Sequence, residues 1–134
     1  MTPAEISDLL YRQSGLLGLS GLSNDMRQIE AAGTPEAAQA IDYFVARIRR
    51  ELGAMAAVLE GIDALVFCGG IGENARGIRA QVCERMGWMG IGLDPDRNAA
   101  NARVISPDGA AATVMVIPTN EEQVIARAAQ AMVG

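Results

Sequence analysis

The stretch Gly69-Gly70-Ile71-Gly72-Glu73-Asn74-Ala75 follows an apolar run and precedes a helical pattern. Glycines placed there allow backbone conformations closed to other residues and let a ligand approach the main chain closely. The stretch also spells GxGxxA at Gly70, Gly72 and Ala75, with Asp94 after the next expected strand. Strand, glycine turn, helix, strand and acid in that order form the pattern of a dinucleotide site. The local pattern therefore points to a nucleotide or a dinucleotide rather than to a tight turn that binds nothing.

Two further stretches carry chemistry. Ile117-Pro118-Thr119-Asn120-Glu121-Glu122 puts two carboxylates in the first turn of an expected helix. The helix dipole favours acids there by about 0.3–1 kcal/mol each, and Glu122 is explained as the capping-box partner of Thr119. Glu121 has no such duty. A free carboxylate at a strand's C-terminal end suits Mg²⁺, usually held by one or two carboxylates plus phosphates; an ordinary first-turn acid is the equal alternative. Asn24-Asp25-Met26-Arg27 sets an acid and a base two residues apart after a glycine-rich loop. Periodicity alone reads it as a capped surface helix with an ion pair.

Absences narrow the chemistry. The chain has no histidine, so a Ser-His-Asp triad, a Cys-His pair or a His-ligated metal cannot be built from it. All 11 basic residues are arginine, which closes the lysine-dependent P-loop route to nucleotides. A net charge of −5 argues against a general nucleic-acid binder. Cys68 and Cys83 are expected to be two buried small hydrophobes in a reducing cytosol. The polar opening Thr2-Pro3-Ala4-Glu5 does not read as a leader, and no apolar stretch approaches a membrane span. The chain is expected to be soluble and cytoplasmic.

These residues need elements to position them, and 134 residues make one domain or a piece of one. Thr2 and Glu5 form a capping box with Pro3 at the first helical position, predicting a helix from about Pro3 to Gln13. Residues 14–21 read as a packed loop of glycine, serine and leucine. Ser23 or Asn24 is expected to cap a short helix ended by Gly33. Thr34-Pro35-Glu36 opens the longest helix, ending at Gly61, with Ile41, Phe44, Val45, Ile48, Leu52, Met55 and Leu59 as its core face and Arg49, Arg50 and Glu51 opposite.

Residues 64–68 and 113–117 read as buried, parallel strands. The first is followed by a helix carrying Ile78, Val82 and Met86; the second, by a helix through Val124, Ile125 and Ala128. Ile91-Gly92-Leu93 reads as a short strand closed by Asp94-Pro95-Asp96, and Pro107-Asp108-Gly109 as a turn. Two strand–loop–helix units result, Leu65–Met86 and Val114–Met132. Ligands of open α/β sheets bind outside the carboxyl ends of the strands, which selects Gly70–Asn74 and Thr119–Glu122 as the functional loops.

In order and at about their spacing, residues 14–21, Asp25-Met26-Arg27, Ala64-Leu65-Val66-Phe67 with Gly70–Asn74, and residues 117–122 closely resemble the C-terminal part of the acetate kinase family. The resemblance covers nearly the whole chain. It implies an α/β fold: part of the C-terminal lobe of an actin-like/sugar-kinase (ribonuclease H-like) ATPase, with parallel strands flanked by helices. Residues 1–134 would form the C-terminal part of its nucleotide-binding lobe. It further implies that Asp25, Met26 and Arg27 line the adenosine side of an ATP/ADP site. Gly70, Ile71, Gly72, Glu73 and Asn74 become its second nucleotide loop, and Glu121 the carboxylate associated with Mg²⁺. The GxGxxA reading then becomes a lookalike and Asp94 an ordinary turn acid.

The implied activity is cytoplasmic, reversible, Mg²⁺- and ATP-dependent phosphorylation of acetate to acetyl phosphate in the complete protein, which the resemblance implies is a homodimer. Neither nucleic acid nor membrane is an expected partner. The family's phosphate loop, and the Arg, His, Asp and Asn residues that hold acetate and the moving phosphoryl, lie upstream of this match. No catalytic residue is therefore assigned within the chain, which reads as an expressed piece or a degraded gene. The alternatives are a non-catalytic nucleotide-binding fragment and a Rossmann-type dinucleotide domain.

Overall fold

A computed structural model describes residues 1–133, with the side chains of Glu121 and Val133 outside that description. Helix α1 (Pro3–Asp8) starts on the expected capping box: Glu5 N–H donates to Thr2 Oγ1 at 3.3 Å, and Thr2 N–H to Glu5 Oε2 at 2.6 Å. The chain winds on as a wider π turn over Leu9–Gln13, so the helical stretch ends where its sequence predicts. The next stretch departs from expectation. In place of a loop, α2 (Gly15–Ser20) forms between two left-handed glycines, Gly15 and Gly21. Leu16 packs against the core from there, which offsets the weak helix propensity of glycine, about 1 kcal/mol per residue.

Helix α3 (Met26–Ala32) ends at Gly33 as predicted, but its cap is Asp25 rather than Ser23 or Asn24. Asp25 wins because its carboxylate also binds the Arg27 side chain. Helix α4 (Pro35–Leu59) is capped by Thr34 and leaves through Glu60 in the left-handed region, one residue before Gly61. Its buried face is Ala37, Ala40, Val45 and Ala56, with Ile41, Phe44, Ile48 and Leu52 packed beside it. Met55 and Leu59, expected in that face, are 54% and 67% exposed. They sit in the last turns, where no described element covers them. Arg49, expected on the opposite face, instead reaches across to the carbonyls of Val82 and Gln81 and ties α4 to the helix that carries them.

Strand β1 (Ala64–Phe67) pairs in parallel with a later strand, Thr113–Val116, which is β2 below. It is shorter than expected and only half-buried. Leu65 and Phe67 face the core, while Ala64 and Val66 face solvent, because among the described residues only one face of the sheet is packed. Cys68, at its end, is exposed; only Cys83 is buried as expected. The glycine stretch is itself a short helix, α5 (Gly69–Asn74), followed after Ala75 by α6 (Arg76–Cys83). Ile91 makes a single bridge to Ala112 instead of a strand. Asp94 caps α7 (Pro95–Ala99), accepting from the N–H groups of Asp96 and Arg97.

The turn at Pro107–Gly109 forms and leads into β2 (Thr113–Val116), whose Val114 and Val116 are buried. Helix α8 (Glu121–Val133) closes the described chain. Its first turn corrects the expected capping box. Asn120 Oδ1 accepts from Gln123 N–H at 2.9 Å, and the Thr119 hydroxyl is engaged elsewhere. The main core gathers Met26, Val45, Phe67, Ile78, Val82, Met86, Ile91, Ile105, Val114 and Val116. Burying such a side chain is worth about 1.5–3 kcal/mol, so this cluster fixes the sheet against α4 and α6. No helix among the described residues is long and apolar enough to cross a membrane.

Candidate functional site

Parallel pairing fixes where the two predicted loops lie. The register runs from Ala64↔Thr113 to Phe67↔Val116, so both strands deliver their carboxyl ends to the same edge. The Ile117 N–H continues the ladder by donating to the Phe67 carbonyl at 2.9 Å. Beyond it the loops are stitched together. Gly69 N–H donates to Thr119 Oγ1 at 3.1 Å, and the Thr119 N–H and hydroxyl both donate to Glu73 Oε1, at 2.9 and 3.1 Å. These bonds, led by the Thr119 N–H, hold the Glu73 carboxyl below its usual range.

The first turn of α3 faces this edge. The Asp25 carboxylate accepts from Arg27 N–H at 2.9 Å and from Arg27 Nε and Nη2 at 3.1 and 2.6 Å. The guanidinium bonds lower the Asp25 pKa and raise that of Arg27. The pair is solvated, with the Arg27 side chain 86% exposed, so its worth is orientation rather than stability. It holds a planar cation at the mouth of a cleft whose buried neighbour is Met26.

That cleft has a volume of about 640 Å³, within the range of small-molecule sites, and lies between α3 and α5. Asp25, Met26, Arg27 and Glu30 form one wall; Gly70, Ile71, Asn74 and Ala75 form the other. Six of the predicted residues thus meet across it: Asp25, Met26, Arg27, Gly70, Ile71 and Asn74. Gly70 also borders a second cleft of about 620 Å³, lined by Gly69, Glu73, Thr119, Asn120 and Glu122. Glu73 therefore belongs with the second loop, not with the Arg27 wall.

Gly72 lines neither space. A Cβ there would lie 3.2 Å from the Phe67 carbonyl carbon, so its role is close packing of α5 on β1. Glu121 opens α8, and its side chain lies outside the described residues. A hollow of about 710 Å³ along α1 is bordered by one segment only. Its acids already serve the helix cap and Gln13.

Two residues escaped the sequence reading. Glu30 stands one turn after Arg27 on α3, so helical spacing from Met26 and Arg27 points to it. Arg79 is completely buried among Ile78, Val82 and Cys83; the spacing 79, 82, 83, 86 put it on the apolar face, and a charge there was the signal. Burial pushes its pKa down. Among the described residues it meets no carboxylate, only oxygens of uncharged groups. Asp94, the acid a dinucleotide reading needs, is committed to capping α7 and pairs with Arg97 at 3.6 Å.

For a divalent cation the second cleft offers hard oxygen donors. Glu122 and Asn120 lie there, while Glu73 is occupied by Thr119. Among the described residues no three acids or cysteines converge on one point. Such a donor set fits Mg²⁺ carried mainly by a ligand's phosphates and completed by a carboxylate, and does not fit a closed protein cage.

Residues 1–127 match the model of the acetokinase family. An acetate kinase of Methylocella silvestris is 65% identical over 95% of this chain, which spans 31% of that protein. One from Rhodopseudomonas palustris is 55% identical over 95% of the chain and 32% of its own length. Among solved structures, Porphyromonas gingivalis acetate kinase superposes on the whole chain with a TM-score of 0.88 at 40% identity, over 35% of its length. A propionate kinase from Francisella tularensis gives 0.85 at 37% identity, over 95% of the chain and 33% of its own. The chain thus spans about a third of the relatives it matches, and its fold is part of the actin-like ATPase fold.

Proposed function

The chain belongs to the acetokinase family, and from that premise we propose that it forms part of the nucleotide half of an ATP- and Mg²⁺-dependent phosphotransferase. The complete protein moves a phosphoryl group reversibly between ATP and acetate, or another short acyl acceptor, giving acetyl phosphate. Residues 1–134 are the C-terminal part of its nucleotide-binding lobe. The observation that carries this reading is the cleft in which Asp25–Arg27 and Gly70, Ile71 and Asn74, far apart in sequence, face one another.

In this reading Arg27, braced by Asp25, offers the flat face of its guanidinium to the nucleobase. Gly70 and Ile71 present main-chain groups of the first turn of α5, where N–H donors lack helical partners. Glycine at position 70 leaves space for the ligand: among the described residues a Cβ there would meet nothing within 4 Å. Glu121 is the carboxylate proposed for Mg²⁺, which when bound supplies charge neutralisation at the phosphates. Assembly as a homodimer and a cytoplasmic setting belong to the same proposal for the complete protein.

Titration of the chain with Mg²⁺-ATP and, separately, NAD tests the reading. Saturable ATP binding without NAD binding is expected. Tight NAD binding without ATP binding overturns it in favour of a dinucleotide domain, a reading that the commitment of Asp94 to α7 already disfavours.

A further inference from the structure

We propose that Arg79, which itself lines neither cleft, is a positioning residue for the nucleotide site; this rests on the nucleotide reading above. Its guanidinium has five N–H donors, and all five are used. Nη1 donates to the carbonyls of Gly72 and Glu73, both at 2.8 Å. Nε donates to Asn98 Oδ1 at 2.8 Å, and Nη2 to Asn101 Oδ1 at 2.8 Å and the Asn98 carbonyl at 3.3 Å. One buried side chain therefore clamps the C-terminal end of α5 to α7 and the residues after it.

The two carbonyls on α5 are what make this a positioning device. The last carbonyls of a helix have no partner within it. On α5 the Ile71 carbonyl is taken by Ala75 N–H and the Gly70 carbonyl by Asn74 Nδ2, both nearby in sequence. Gly72 and Glu73 are left for Arg79. The residues it holds alternate with those that face the ligand: Gly70, Ile71 and Asn74 line the cleft, while Gly72 and Glu73 point their carbonyls at the clamp. A helix of six residues has little intrinsic stability, so its pose depends on such outside anchors. Lysine cannot replace the anchor, because one ammonium cannot span five acceptors arranged as a planar fork.

Arg79→Lys and Asn101→Gly in the 134-residue chain test the inference. The second removes one acceptor at a position already at φ 54, where glycine is unstrained. Folding is checked by circular dichroism and a cooperative melt. Positioning is read from amide exchange over residues 70–74, and ligand binding from the ATP Kd. Folded Arg79→Lys is expected to bind ATP about tenfold more weakly, close to the loss of one good hydrogen bond. Its exchange over 70–74 should be faster while α4 and β2 are unchanged, with Asn101→Gly intermediate. If Arg79→Lys does not fold, Asn101→Gly decides by the same two readouts. Folded variants that bind ATP like the parent chain overturn the inference and leave the nucleotide reading standing. A parent chain that binds neither ATP nor ADP overturns both.

Discussion

The Glu73 carboxylate accepts both the N–H and the hydroxyl of Thr119, a residue 46 positions away, and thereby fastens the two loops that leave the parallel strands. The bond pattern makes Glu73 a clasp between loops, a different role from the direct nucleotide contact its place in the glycine stretch suggests. Glu73→Gln should therefore loosen both loops together. Faster amide exchange in 69–74 and at Thr119 and Asn120 is the expected signature, and a change confined to one loop would contradict it.

The same clasp sets a pH dependence. The folded pKa of Glu73 lies below its ordinary value of 4.5, so the folded state binds this proton less readily than the unfolded chain does. Its contribution is complete above about pH 4.5 and is lost as pH falls through the lowered folded value. Asp25, lowered chiefly by the Arg27 side chain, acts in the same direction. Melting curves of the parent and Glu73→Gln should differ at neutral pH and converge in acid. A gap that widens below pH 4 would reverse the sign argued here.

Two glycines in one helix should fail in different ways. Gly72→Ala drives a Cβ to within 3.2 Å of Phe67 main chain, and overpacking of this kind costs about 1–3 kcal/mol. Its melting temperature should drop. Gly70→Ala meets nothing within 4 Å among the described residues and should melt like the parent or slightly higher, yet, in the proposed reading, bind nucleotide more weakly because its methyl enters the cleft. Equal effects on stability would remove the distinction between packing and ligand-facing positions.

What the sequence made legible follows from local chemistry. The cap at Thr2, the helix stop at Gly33 and the parallel strands ending at one edge rest on short-range signals that tertiary contacts reinforce. The failures have a common cause. Thr119 looked like a capping box because Glu122 stands three residues on, but Gly69 and Glu73, remote in sequence, compete for its hydroxyl. Residues 14–21 looked like a loop because glycine disfavours helix, while Leu16 gains a core to pack on. Arg79 stands in the sequence as a charge without its surroundings; its acceptors come from α5, α7 and Asn101.

The two cysteines should be chemically distinct. Cys68 is exposed at the end of β1, and Cys83 is buried, its thiol pushed up to about 11 by desolvation. A thiol reagent at pH 8 should label one site quickly, and Cys68→Ser should abolish that fast phase. Rapid labelling at both sites in the folded chain would show that the α6 face opens readily. Only the thiolate reacts, so burial and the raised pKa act together to protect Cys83.

The 134-residue chain by itself should show no measurable acetate kinase turnover. In the proposed reading its candidate groups, Arg27, Gly70–Asn74 and Glu121, all belong to the nucleotide side, and the chain contains no histidine. Phosphoryl transfer depends on positioning and on charge placed around the moving group; one arginine supplied there is worth about 10³–10⁵ in rate. The resemblance assigns the acetate-holding and charge-stabilising residues to sequence upstream of these motifs, so several such groups are lacking together. A hydroxamate assay for acetyl phosphate on the purified chain gives the answer, and robust turnover that survives further purification would show that the catalytic groups lie within these residues. Adding the N-terminal part of a relative in trans is the complementary arm. Where activity returns, Glu121→Gln should impair use of Mg²⁺-ATP while leaving the KM for acetate nearly unchanged, because the resemblance assigns the acyl acceptor to the other part.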